Sequence, residues 1–190
     1  MRRFKPVPIP EEDLEKLLFA LQRAPTDASA QLYSAIRVRD PRLRDEVARL
    51  SGDQEHIRQA AEFFLFLADV HRLERLLAHR GQRMAFWPRT ALHFAILDAG
   101  IAASYLALTA EALGYGVCFI GGVLNGVEAL TDLLGLPPGV LPVVGLAGGV
   151  PDEGGPPRPR LPRRLVVHED RYRPYAAEDL EEAYRAMAPY

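Results

Sequence analysis

The spacing of hydrophobic residues along the 190-residue chain predicts an alternation of helices and strands. After the acidic segment that follows Pro10, leucines recur at helical intervals as far as Leu21. The segment from Glu62 to Ala68 (EFFLFLA) is instead a continuous apolar run of strand length. Such a run is typical of a central strand that is buried on both faces.

The same patterns predict the elements of the whole chain and its fold class. Helices are predicted over 10–24, 41–50, 70–83, 91–113, 125–134 and 177–187, with a further helix starting after 53. Strands are predicted over 32–38, 62–68, 114–122 and 140–147, and a Pro/Gly/Arg-rich loop over 150–162. The irregular alternation predicts an α+β domain with helices on both sides of a small sheet. At this length, one domain spanning 1–190 is expected.

The segment from Ala91 to Leu113 is long enough to cross a membrane, but it contains His93, Asp98 and Glu111. A central charge costs about 2.5–3.5 kcal/mol on insertion, so we expect a helix buried on nearly all sides instead. Its own sheet, other helices or a second subunit must cover it. No apolar stretch follows the basic N-terminus, so we expect a cytoplasmic protein without a secretory signal or a membrane partner.

Composition and charge narrow the possible partners. With 48% hydrophobic and 25% charged residues, the chain has the content of a globular protein rather than a disordered one. A net charge of −2 excludes a general polyanion binder, so no nucleic-acid partner is expected and any basic site must be local. The chain has 21 Arg and only 2 Lys, and most of these arginines, such as those of the helix over 70–83, are expected on the solvated surface.

Several kinds of catalytic site are missing from the sequence. It contains no P-loop, no G-x-G-x-x-G, no C-x-x-C and no G-x-S-x-G motif. The five histidines show no H-E-x-x-H or H-x-x-x-H spacing, so no metal site is expected. Cys118 lies in an apolar strand, which favours a core thiol over a nucleophile. No side chain is therefore expected to be catalytic, and a bound cofactor would carry the chemistry.

Three segments could hold such a cofactor. Arg158 and Arg160 stand two residues apart between prolines and could grip a phosphate, although composition alone favours a solvated loop. The strand Phe119–Gly122 ends in two glycines that would let a planar ring approach the backbone N–H groups. Short polar residues fill Pro25–Gln31, which alone reads as an ordinary connection.

In combination, these segments carry a resemblance to a known family. The residues that carry it, in chain order, are Arg2–Phe4, Pro8–Pro10, Arg23–Thr26, Gln31, Ile36–Asp40, Ser51–His56, Gln59–Phe63, Ala68–Asp69, Gly116–Gly122, Arg158–Pro162 and Val167–Glu169. Their order and spacing resemble the FMN-dependent nitroreductases, and most closely the oxygen-insensitive, NADPH-using branch with the flavin reductases.

The resemblance implies a layered α/β/α fold with a mixed, largely antiparallel central sheet, and an obligate homodimer with FMN at the subunit interface. It implies ping-pong chemistry, in which NADH or NADPH reduces FMN and a small-molecule acceptor such as a nitroaromatic, quinone or flavin then takes the electrons. Backbone donors near the ring would stabilise the reduced flavin.

The resemblance also assigns FMN contacts residue by residue. Arg2, Arg158 and Arg160 match residues that hold the flavin phosphate. Thr26, Asp27 and Gln31 match a polar loop that reaches the flavin from the partner subunit. The residues that match those around the isoalloxazine ring are Gln54, Phe119, Ile120, Gly121 and Gly122.

Three features depart from the family pattern. The family opens with a His/Arg-Arg-Ser-x-Arg run, and here Met1 stands just before the position of its last arginine, through a real shortening or a misassigned start codon. Asp27 stands where serine is common, and it would either repel the flavin or point to solvent. The NADPH-using relatives continue past Tyr190 with a basic extension, so the choice between NADH and NADPH stays open.

Two alternative functions remain at this point. The first is a flavin-binding protein without efficient turnover by NAD(P)H, suggested by the short N-terminal motif. The second is a nucleic-acid or partner-binding module that uses the Pro/Arg loop, against which the net charge of −2 argues.

Overall fold

A four-stranded antiparallel sheet organises the first of two units into which the chain divides, Met1–Glu153 and Gly154–Tyr190. The computed structural model describes residues 1–84, 88–155 and 158–188, so residues 156 and 157 of the predicted loop lie outside the described residues. The strands are β1 (Tyr33–Arg37), β2 (Glu62–Asp69), β3 (Gly116–Ile120) and β4 (Val140–Gly149). Their order is β1-β2-β4-β3, and each of the three pairings among these strands is antiparallel.

The central strand β2 is buried along its whole length, as its apolar run predicts. It pairs with β1 from Tyr33↔Ala68 to Arg37↔Phe64. Phe63 and Leu65 point into the core on one face of the sheet, and Phe64 and Phe66 point into the core on the other. This alternation follows from the two-residue period of a strand, so β2 requires helical cover on both sides.

Helices of the first unit supply that cover in two layers. The helices of the described residues are α1 (Glu11–Gln22), α2 (Pro41–Leu50), α3 (Glu55–Gln59), α4 (His71–His79), α5 (Pro88–Ala112), α6 (Val127–Leu134) and α7 (Ala177–Met187), and α7 belongs to the second unit. Apolar residues of α2, α3 and α6 pack on the Phe63 face, and those of α1 and α5 pack on the Phe64 face. The predicted layered α/β/α arrangement and the α+β class are therefore confirmed.

One predicted helix starts later than its pattern suggests. Residues Gly121–Gly126 form 3₁₀ turns before α6 begins at Val127, whereas the sequence predicts a helix from 125. Gly126 lies so close to the Leu50 carbonyl oxygen that a Cβ there would stand 2.8 Å from it. This close approach shapes the backbone before α6, and single-sequence patterns do not reveal it.

The long helix α5 packs an alanine-rich face on the sheet, with Ala95, Ala99, Ala102 and Ala103 fully buried. By length and composition, its Arg89–Ala112 stretch is also apolar enough to cross a membrane. The opposite face exposes Ile96, Leu97, Tyr105 and Leu108. Within the described residues, α5 is thus buried on the side that faces the sheet and α1, and not on nearly all sides as expected.

The second unit, Gly154–Tyr190, contains a 3₁₀ turn at Arg163–Leu165 and the helix α7. Asp179 in the first turn of α7 is buried and accepts hydrogen bonds from Arg164, from Arg173 at 2.6 Å and from the backbone N–H of Ala176 at 3.0 Å. The Arg173 and Arg164 guanidinium groups and this N–H hold the pKa of Asp179 well below its usual range. A carboxylate therefore ties α7 to the turn that precedes it.

Candidate functional site

The glycine-rich end of β3 lies against the turn that joins α2 to α3. In that turn, the Gln54 side chain donates a hydrogen bond from Nε2 to the Ser51 carbonyl oxygen at 2.6 Å. A Cβ at Gly122 would overlap both the Ser51 carbonyl oxygen and Gln54 Nε2. The approach therefore requires glycine, and the structure brings together Gln54 and Gly122, which the family resemblance assigns to one ring site.

The surface beside this contact is open at the backbone. Around Gly121, no heavy atom lies within 4 Å of the position that a Cβ would occupy, and the residue is exposed. Phe119 is 48% exposed, whereas the Ile120 side chain is buried in the core, so only the backbone of Ile120 can face a ligand. A bare strand end next to a carboxamide is a surface that a flat, polar ring can approach closely.

Ion pairs fix the turn that carries Gln54. Arg58 on α3 contacts the carboxylates of Asp45 at 2.5 Å, Asp53 at 2.6 Å and Glu55 at 3.3 Å. Asp53 adopts a left-handed backbone with φ of 53°, which few residues other than glycine tolerate. The Arg58 contacts therefore hold a turn whose backbone conformation is unfavourable by itself.

Two buried polar atoms near this turn have no hydrogen-bond partner within the described part of the chain, Ser51 Oγ and His56 Nε2. Burial lowers the pKa of His56, and the positive charges of Arg2 and of the N-terminal amine lower it further. The imidazole is therefore neutral in the fold over a wider range of pH than a free histidine.

The backbone of Arg2 is held by the segment after β4. Arg2 donates its N–H to Glu153 Oε1, and the Lys5 N–H bonds to the Val150 carbonyl oxygen at 2.8 Å. The hydrogen bond from Arg2 is the main reason why the pKa of Glu153 lies below its usual value. The Arg2 side chain itself is exposed, so its charge remains available to an anion.

The polar loop over 26–31 is anchored elsewhere in the same unit. Asp98 of α5 accepts the N–H of Asp27 on Oδ1 and the N–H of Leu32 on Oδ2, both at 2.9 Å. Arg72 of α4 donates to the carbonyl oxygen of Gln31 and, at 2.7 Å, to that of Tyr33. Among the described residues, these bonds join the loop to α4 and α5. These hydrogen bonds do not connect the loop that carries Thr26, Asp27 and Gln31 to the turn that carries Gln54.

The loop side chains themselves face outward. Asp27 and Gln31 are exposed and Thr26 is half-buried. Gln31 also lines an open groove of about 510 Å³ between α1 and β1. The loop thus presents polar groups at the surface, where a second molecule can reach them.

The two arginines of the Pro/Arg loop belong to the second unit. Arg158 and Arg160 are both exposed, and Arg160 Nη1 donates to the carbonyl oxygens of Arg158 at 3.3 Å and Pro159 at 3.0 Å. These bonds join the Arg160 guanidinium group to the backbone of its own loop. Both guanidinium groups remain at the surface of this unit.

The sequence patterns miss three residues that organise the site. Asp98 is a carboxylate in the middle of an apolar helix, and this is the one signal that marks it as a buried group with a structural partner. Arg72 is exposed, as expected for the arginines of its helix, but it also binds backbone carbonyl groups of Gln31 and Tyr33, because β1 begins next to α4. The carboxylates that pair with Arg58 come from α2, from the turn and from α3. Their spacing in the sequence does not predict these ion pairs.

Comparisons with known proteins identify a family and several relatives that are similar to this chain. A family model described as the nitroreductase family matches residues 1–149. The FMN reductase (NADPH) of Bacillus subtilis (strain 168) is 34% identical over 174 residues, which are 90% of this chain and 70% of the relative. The oxygen-insensitive NADPH nitroreductase of Salmonella typhimurium is 34% identical over 190 residues, which are 100% of this chain and 78% of the relative.

A solved structure extends the likeness to three dimensions. The NADPH:FMN oxidoreductase from Vibrio harveyi, complexed with NAD+, matches with a TM-score of 0.92 and 31% identity, over 100% of this chain and 80% of that chain. The family match covers more than half of the chain, and the fold agrees throughout. The resemblance first carried by scattered sequence segments is thereby confirmed, and the chain belongs to the nitroreductase family.

Proposed function

We propose that the chain is an FMN-dependent oxidoreductase that takes electrons from NADH or NADPH and passes them to a small acceptor such as a nitroaromatic, a quinone or a flavin. The observation that carries this proposal is the contact between Gly122 and the Gln54 turn beside the open backbone of Gly121. The names of the relatives, an FMN reductase (NADPH) and an NADPH nitroreductase, describe the same class of activity.

The residues present fit a bound flavin. Gly121 leaves a space that any side chain would fill, and Gln54 supplies a carboxamide at its edge. Ser51 Oγ is a buried polar atom without a hydrogen-bond partner in the described residues. The backbone of Ser51 lies against Gly122, and Ser51 stands three residues before Gln54 in the chain. A cradle without side chains, lined by polar groups, suits a flat heterocycle better than an apolar ligand.

The residues assigned to the site would bind two parts of FMN, its ring and its phosphate. When bound, FMN would supply the redox chemistry that connects NAD(P)H to a second substrate in ping-pong order. The backbone at Phe119–Gly122 and the Gln54 side chain would line the ring, with N–H donors that favour a negatively charged reduced form. Arg2, Arg158 and Arg160 would bind the phosphate, to which guanidinium groups form charge-assisted hydrogen bonds.

We also propose that two copies of the chain form the active unit. Phe19 on α1 and Leu108 on α5 are 65% and 64% exposed, and an apolar groove of about 730 Å³ runs between these helices. Such a surface is costly in water and is covered when a second copy binds. In this dimer Thr26, Asp27 and Gln31 would reach the flavin of the partner subunit. The proposed setting is cytoplasmic, with small-molecule substrates and neither nucleic acid nor membrane as a partner.

The alternative is a flavin-binding protein without efficient turnover. The observation that favours it is Glu153, whose carboxylate lies beside the backbone of Arg2 and weakens the local positive charge near the phosphate-binding end.

A single experiment separates these functions. We expect the purified protein, supplied with FMN and freed of excess FMN, to be yellow and to lose this colour when NADH or NADPH is added without oxygen. A protein that stays colourless would exclude both functions. A yellow protein that keeps its colour with both nicotinamides would support the binding protein.

A further inference from the structure

We propose that Asp98 is a positioning residue, which holds the loop over 26–31 in the conformation that presents Thr26, Asp27 and Gln31 to a flavin. This inference rests on the proposed function. Asp98 does not contact the loop side chains and acts only through the backbone. Its position on α5 connects the loop to the core helix of the fold.

The geometry of the contact is specific to a carboxylate. Asp98 is fully buried, with 0% of its surface exposed, and both of its oxygens accept backbone N–H groups at 2.9 Å. One donor, Asp27, lies at the start of the loop, and the other, Leu32, lies directly after its end. The two bonds therefore fix both ends of the loop against one side chain, which an amide with a single acceptor oxygen cannot do.

The loop needs such an anchor because its backbone is unfavourable. Ala28, Ser29 and Gln31 have φ values of 46°, 56° and 54°, in the left-handed region that residues other than glycine rarely adopt. Three of these residues within four positions persist only where the surrounding structure imposes them. Asp98 on one side and Arg72 on the other provide the hydrogen bonds that do so.

Asp98 also lies on α5 between the exposed apolar face of this helix and the side that holds the loop. The residues before it, Ile96 and Leu97, are exposed on the apolar face assigned to the second copy, while Asp98 itself points inward to the loop. A shift of α5 would therefore move the ends of the loop. This arrangement links subunit association to the geometry of the loop that serves the partner's flavin.

The first test replaces the carboxylate. We expect Asp98→Asn to raise the Kd for FMN about tenfold, which corresponds to about 1.4 kcal/mol, through the loss of one backbone bond. Hydrogen exchange of the amides over 26–32 should become faster, both with and without FMN. Glu111→Gln makes the same charge change at an exposed position of the same helix and should alter neither quantity. A folded Asp98→Asn protein with unchanged Kd and unchanged exchange would overturn the inference.

The second test leaves α5 intact, in case Asp98→Asn does not fold. Asp27→Pro removes the N–H that bonds to Asp98, and proline is tolerated at the first position of a helical turn after the extended Thr26. Asp27→Ala removes only the side chain and keeps the N–H. We expect the proline variant to bind FMN about tenfold more weakly than the alanine variant, and equal Kd values would contradict the role of the backbone bond.

The outcome also distinguishes this inference from the proposed function. If the wild-type protein takes up no FMN, the proposed function fails. The exchange rates over 26–32 then decide the role of Asp98 alone, since faster exchange in Asp98→Asn supports the anchor and equal exchange refutes it.

Discussion

At the scale of single residues, Gly121 and Gly122 show that adjacent glycines are present for different reasons. Gly122 is needed because the α2–α3 turn occupies the space of its Cβ, whereas Gly121 faces open space. The sequence predicts a site here because two glycines end a strand. It does not predict which glycine is structural, because that depends on a turn about 70 residues earlier in the chain.

Alanine substitutions separate the two reasons. We expect Gly122→Ala to lower the free energy of unfolding by about 1–3 kcal/mol, because the methyl group overlaps backbone and the Gln54 side chain. Gly121→Ala should leave the unfolding free energy unchanged but raise the Kd for FMN by about tenfold, because its methyl group stands where the ring would lie. Urea unfolding and FMN titration of both variants measure the two effects. Equal FMN affinity of Gly121→Ala and the wild type would place the ring elsewhere.

At the scale of elements, hydrophobic spacing is a reliable guide where a segment is buried. The run EFFLFLA predicts β2 and its burial on both faces because the two-residue period leaves no polar face. The same approach fails for Gly121–Gly126, where 3₁₀ turns precede α6, because close backbone contacts rather than periodicity shape that segment. The residue pattern of 26–31, without the family resemblance, predicts only a connection, since the carboxylate that orders this loop lies on α5.

The Pro/Arg segment can be tested as an element. Arg158→Ala with Arg160→Ala should weaken FMN binding by about two orders of magnitude, because two charge-assisted bonds to phosphate are lost. Arg164 is unsuitable as a control, since it pairs with Asp179 and Glu182. Arg163→Ala with Arg171→Ala removes the same charge from exposed positions of the same unit. Similar losses in both double variants would mean that only general positive charge matters.

At the scale of the whole molecule, the sequence predicts the fold class and the family, and the comparisons confirm both. The predicted FMN contacts remain a proposal, because their assembly depends on contacts between distant segments and on a second copy of the chain. The proposal of a second copy rests on the exposed apolar face of α5. A sequence pattern shows that this helix is apolar all round, but only packing shows which face the chain itself covers.

A charge on that face should prevent association. We expect Leu108→Glu to convert a dimer into a monomer in light scattering at micromolar concentration, because a buried, unpaired carboxylate is costly. Leu76→Glu introduces the same charge on α4 at a similarly exposed leucine and should leave the dimer intact. A wild-type protein that is monomeric would contradict the proposed assembly, as would a dimer that tolerates Leu108→Glu.

The strands are made in the order β1, β2, β3, β4, but in the sheet β4 lies between β2 and β3. The pairing of the strands therefore cannot follow the order of their synthesis throughout. β2 can pair with β1 as soon as it leaves the ribosome, but its other partner, β4, is made only after α5 and β3. Until residues 140–149 emerge, one edge of this strand, which is buried along its whole length in the fold, is unprotected. The nascent chain is therefore most prone to aggregation in this interval, and the long-range closure of β2 on β4 limits how fast it escapes.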